Sequence, residues 1–74
     1  MNKEWKFYAA AVPGEVLEVV YKEKYGPEIK VPAMSIFQSD TEYRLNHPET
    51  PKKDLQKSNL ISFSYRRKYA EAKK

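Results

Sequence analysis

Glu15-Val16-Leu17-Glu18-Val19-Val20-Tyr21-Lys22-Glu23-Lys24-Tyr25 admits two secondary structures, and the choice between them sets the fold. Wound at about 100° per residue, Glu15, Glu18 and Lys22 share one narrow sector, while Val16, Leu17, Val19, Val20 and Tyr21 cover a broad opposite face. Glutamates lead and lysines trail, as a helix dipole prefers, and Gly26-Pro27 supplies a stop. Composition pulls the other way, because Val16, Val19, Val20 and Tyr21 are strand formers. A strand here would meet its predecessor through Pro13-Gly14. With L-proline, that loop prefers a type I or II turn, whose twist splays paired antiparallel strands. The balance predicts a helix over 15–25.

Outward from this segment the reading is mostly β. Residues 5–12 form a strand, with Trp5, Phe7, Ala9 and Ala11 alternating against Lys6, Tyr8, Ala10 and Val12. Residues 28–38 form another, with Pro32 marking an edge or a bulge because it cannot donate to a ladder. A short strand covers 42–46, although Ser39 with Glu42 also fits a capping box. Residues 46–53 read as a loop, from which Thr50-Pro51 starts a short helical turn running to Lys57. The clearest strand is 60–67, where Ile61, Phe63 and Tyr65 alternate with Ser62, Ser64 and Arg66. Residues 68–74 form a fraying basic tail.

These elements predict an α+β fold, one helix packed on a sheet of three to four strands. A helix joining the first two strands of one sheet demands a right-handed, parallel crossover. The alternative is a small five-stranded β-barrel in which 15–22 is a strand.

A chain of 74 residues makes one small domain, 1–74, with no room for a two-domain enzyme or a nucleotide-binding half. Its 41% apolar and 32% charged content suits a globular chain. The absence of cysteine removes disulfides, thiolate metal sites and thiol chemistry, and in so small a domain it favours a reducing, cytoplasmic interior. The apolar run from Phe7 to Val12 is too short for a signal peptide, and no stretch approaches a membrane span.

Catalytic patterns are lacking. His47, the sole histidine, precedes Pro48 in a polar loop with no paired-ligand spacing, so neither a metal site nor a cofactor is expected. Ser62 and Ser64 lack nucleophile-elbow glycines, and two glycines in the whole chain exclude phosphate-cradling loops. Asp40, Glu42 and Glu49 lie in polar segments where ordinary solvation suffices. The chain does not read as an enzyme.

Charge is uneven. Residues 1–51 carry six basic and eight acidic side chains, whereas residues 52–74 carry eight basic and two acidic. Such a split suggests a polyanionic partner, although a basic segment also serves solubility alone. The candidate nucleic-acid contacts are Arg66, Arg67 and Lys68, with Lys52, Lys53, Lys57 and Tyr69. Phe63, Tyr65 and Tyr69 could supply stacking surfaces beside these cations, but the glycines of the common RNA-binding sheet motif are missing. A chain this short also needs Ile61, Phe63 and Tyr65 for its core. The expectation is therefore a non-enzymatic binding protein for nucleic acid. The alternative is a small adaptor or inhibitor that docks on an acidic protein surface through exposed Tyr and Arg, with Tyr25, Tyr43 and Tyr69 the tyrosines at element ends.

Overall fold

The computed structural model describes residues 4–69, and at 50 and 51 the backbone alone. Among these residues the chain forms seven strands: β1 (Lys6–Ala10), β2 (Glu15–Glu23), β3 (Glu28–Ala33), β4 (Ser35–Gln38), β5 (Glu42–His47), β6 (Thr50–Gln56) and β7 (Leu60–Tyr69). A single 3-10 turn, Lys57–Asn59, joins the last two. One sheet has the order β1-β4-β5-β6 and the other β3-β2-β7. Every pairing is antiparallel.

The α+β expectation is overturned, because among the described residues no α-helix packs on either sheet. Residues 15–25 contain the central strand of the three-stranded sheet, flanked by β3 and β7. Period two overrides the helical face: Leu17, Val19 and Tyr21 are buried, while Val16, Glu18, Val20 and Lys22 lie on the opposite side. The parallel crossover falls with the helix. Seven strands in two sheets also differ from a five-stranded barrel.

The Pro13-Gly14 turn explains the failure. Glu15 N–H donates to the Val12 carbonyl at 2.9 Å, and Gly14 has a φ of 87°, the geometry of a type II turn with proline leading. This turn does splay the strands it joins. They part, β1 entering one sheet and β2 the other, so no hairpin twist has to be matched.

Strand 28–38 is one run broken at Met34, where the chain passes between sheets. The Met34 N–H donates to the Asn46 carbonyl at 2.7 Å, and its own carbonyl accepts from Ala11 N–H at 2.9 Å. Pro32 lies on β3, an edge strand, where the lost donor is tolerated. The Ser39–Glu42 pattern closes the β4–β5 loop instead of capping a helix: Ser39 Oγ accepts from the N–H of Thr41 and of Glu42. The helical turn expected from Thr50 is strand β6, paired with β5 and burying Leu55. Lys68 and Tyr69, expected to fray, complete β7 against Val16 and Glu15, and 70–74 lie outside the described residues.

The core lies between the sheets. Leu17, Val19, Tyr21 and Ala33 meet Ala9, Ile36, Leu45 and Leu55 from the other layer. Tyr8, Tyr43, Phe63 and Tyr65 close one side of it.

Candidate nucleic-acid interface

Arg66, Arg67 and Lys68 lie along β7, not beyond its end, and β2 answers their charge. Arg66 Nε donates to Glu18 Oε1 at 2.8 Å, and Lys68 Nζ stands 3.5 Å from Glu18 Oε2. Arg67 Nη1 donates to Glu15 Oε1 at 3.1 Å and to the Ala10 carbonyl at 2.9 Å. The register places Glu18 directly opposite Arg66, so strand pairing itself builds the contact. The hydrogen bond from Arg66, helped by Lys68, holds the Glu18 carboxyl below the usual range. Three cations facing two carboxylates leave the cluster one net positive charge.

The other sequence-predicted residues are dispersed. Lys52 and Lys53 are exposed on β6, the far edge of the four-stranded sheet. Lys57, in the 3-10 turn, donates to Gln38 Oε1 at 3.0 Å and sits 4.9 Å from the centre of the Tyr43 ring. Tyr69 is exposed at the end of β7, and Tyr25 projects from the β2–β3 turn with 96% of its surface free. Tyr43, expected outside, is half-buried. Its ring stacks on Phe63 at 4.0 Å between centres, and Tyr8 packs edge-on against Tyr43, Phe63 and Tyr65. Burial, reinforced by Tyr43 and Tyr65, raises the Tyr8 phenol above its ordinary value. Phe63 and Tyr65 are therefore spent on the core and offer no stacking face. Ile61, on the same strand, is mostly exposed.

A different aromatic surface is present, and sequence reasoning missed it. On the outer face of the four-stranded sheet, Phe7 pairs with Phe37, Phe37 with Arg44, and Arg44 with Asp54, one continuous row across β1, β4, β5 and β6. The Phe7 and Phe37 rings meet edge to face at 5.9 Å, and Phe7 is 64% exposed. The Arg44 guanidinium lies 4.1 Å from the centre of the Trp5 ring. It also forks onto Asp54 through Nε at 2.8 Å and Nη2 at 2.9 Å. That carboxylate raises the Arg44 pKa further, and the cation is fixed in place between an aromatic face and an acid. Lys6, exposed on β1, pairs with Gln38 and lies on the opposite face from the row.

His47 Nδ1 accepts the Glu49 N–H at 3.1 Å in the β5–β6 turn. Among the described residues no group of three or more His, Cys, Asp or Glu side chains gathers as a metal site. No helix there is long and apolar enough to cross a membrane. Comparison with known protein families, curated proteins and solved structures finds no match, so geometry alone carries the functional argument.

Proposed function

We propose that this protein is a non-enzymatic binding module for single-stranded nucleic acid, which it receives on the outer face of the four-stranded sheet. The carrying observation is the Phe7–Phe37–Arg44 row with Trp5 beside it, an aromatic and guanidinium platform on an open sheet face. Unpaired bases stack on such rings, each stack being worth about 1–3 kcal/mol, while duplex bases cannot reach them. Exposed Lys52, two residues from Asp54 and so on the same face of β6, supplies a phosphate contact from the edge of the sheet. A cytoplasmic site of action follows from the same reading, since a domain this small without cysteine gains nothing from an oxidising compartment.

Trp5 is the sole tryptophan, so its emission reports occupancy of the platform directly. Titration with oligothymidylate at low salt should quench it, and a duplex of equal length should bind more weakly. Phe7→Ala should weaken single-strand binding by about 1–3 kcal/mol, the value of one stacked base. Absence of quenching by any oligonucleotide at low salt overturns the proposal. The exposure of Tyr25 and Tyr69 then favours the second reading, docking on an acidic protein surface.

A further inference from the structure

Among the described residues the two sheets end in four strand edges, β1 and β6 in one, β3 and β7 in the other. An edge presents unpaired N–H and C=O groups to any second strand, and three of these four are guarded against one. β3 carries Pro32 and exposed Lys30. β6 opens on Thr50-Pro51-Lys52-Lys53 and pairs irregularly with β5 between Leu45 and His47. β1 has only five residues and a register shift between Phe7 and Ala9, and the Arg67 guanidinium donates to its Ala10 carbonyl.

The first half of β7 has no such guard. This is the longest strand, ten residues without proline, and its backbone is bonded on one side only, to β2. Leu60-Ile61-Ser62-Phe63-Ser64-Tyr65 carries no charge and alternates apolar with small polar side chains, a composition suited to adding a strand. Ile61 within it is 60% exposed. Charge begins only at Arg66.

A second copy of the chain fits this edge by its own register. In a two-fold antiparallel pair, each residue faces the copy of its mirror position about one central residue. Centred on Ser64, the pairing keeps to the regular stretch 62–66 and clears the register shift at Ile61. Phe63 then faces Tyr65 of the second copy, and the reverse, giving two aromatic cross-strand pairs on one face. Ser62 faces Arg66 of the second copy on the other. No cation opposes a cation, because the basic ends of the two strands point away from each other.

We infer that β7 is a self-association edge, at which two copies pair antiparallel about Ser64 and join their three-stranded sheets into one sheet of order β3-β2-β7-β7-β2-β3. A single strand pair buries less than about 1,200 Å², the size of a weak, reversible interface. The pairing does not depend on the single-strand reading. It goes beyond it, since the aromatic platform lies on the other sheet and the dimer holds two of them.

The test is sedimentation velocity from about 10 μM to about 1 mM, the range that a weak interface occupies. The wild type should show a reversible monomer–dimer equilibrium. Ser62→Lys/Ser64→Lys sets lysine against Arg66 twice and against its own copy once, and should raise the dimer Kd at least about tenfold. Ser62→Glu sets a carboxylate against the same arginine and should lower the Kd about fivefold. Glu28→Lys adds the same two positive charges as the double variant, but on β3, and should leave the Kd unchanged. Ser62, Ser64 and Glu28 are all exposed, so each variant should fold. Circular dichroism melts check this, and Ser62→Lys alone serves if the double variant does not fold.

A wild type that stays monomeric throughout overturns the inference. So does growth past the dimer, which pairing between unlike edges would give. A Kd that the lysines leave unmoved, an equal loss from Glu28→Lys, or weakening by Ser62→Glu overturns it as well. Oligothymidylate quenching of Trp5 is read at protein concentrations below this range, so the platform and the dimer stand or fall separately.

Discussion

Val19 and Val20 are adjacent and chemically identical, yet the two-sheet fold predicts very different costs for their truncation. Val19 is fully buried in the centre of β2, between Val31 and Tyr65. Val19→Ala removes two methyl groups, about 1.6 kcal/mol at about 0.8 for each buried carbon. If about 40 Å³ stays unfilled, a cavity term near 24 cal/mol per Å³ adds about 1 kcal/mol. Val20 faces the other way, between Lys30 and Ser64 on a half-covered surface, so its transfer loss is about half and no cavity forms. The costs are therefore about 2.5 and at most about 1 kcal/mol. A chain of 74 residues has roughly 4–11 kcal/mol in all, at about 0.05–0.15 per residue, so the first loss is severe. Urea unfolding followed by far-ultraviolet circular dichroism reads the difference. With a slope near 1 kcal/mol per molar, the midpoints should fall by about 2.5 M and at most about 1 M. Equal shifts would refute the reasoning, because only a helical face puts both valines in the same environment.

Gly14→Ala should destabilise by about 1–2 kcal/mol, since its φ of 87° is the strained region for any side chain although nothing crowds the added methyl. At about 4–8 °C per kcal/mol, thermal melting should show a drop of at least about 4 °C, and a neutral variant would contradict the type II turn. Glu18 has its carboxyl held low in the folded chain, so its contribution is present above the unfolded value near 4.5 and is lost as pH falls through the folded one. Glu18→Gln should lower the loss in melting temperature between pH 7 and pH 3, and an unchanged loss would argue against the Arg66 pairing. Tyr8 behaves in the opposite sense. Its raised pKa gives stability that is present below the unfolded value near 10.0 and fades as pH rises through the folded one, so Tyr8→Phe should blunt alkaline unfolding.

Alternation of side chains made β7 legible from Leu60 onward, because a two-residue period over more than five positions has few competing explanations, whereas β5 stood open to a capping box at Ser39 and Glu42. The segment 15–25 was not legible in that way. Its apolar residues 16, 17, 19, 20 and 21 satisfy both periods at once, and the deciding partners lie elsewhere in the chain. Ile29, Val31 and Ala33 flank one side of β2, while Phe63 and Tyr65 flank the other. The turn chemistry of Pro13-Gly14 was readable and its splaying effect real. What local reasoning lacked was a second sheet for the splayed strand to enter.

The same limit applies to the site. Arg66-Arg67-Lys68 is an obvious basic run, but the glutamates that answer it stand 48 to 52 positions earlier. Charge counted along the chain therefore overstated charge displayed on the surface. The Phe7–Phe37–Arg44–Asp54 row left no local trace, since each member is an ordinary alternating residue in a different strand. Only register brings them together.

The sequence by itself determined the absence of disulfides within this chain, the turn at Pro13-Gly14 and the alternation of its last strand. These depend on single residues or near neighbours, whose steric and chemical preferences need no distant partner. Tertiary structure decided whether Val16 to Tyr21 coil or extend, which cations are neutralised and which aromatics reach solvent. Those outcomes turn on cross-strand pairing, where side chains about 5 Å apart come from segments dozens of residues apart.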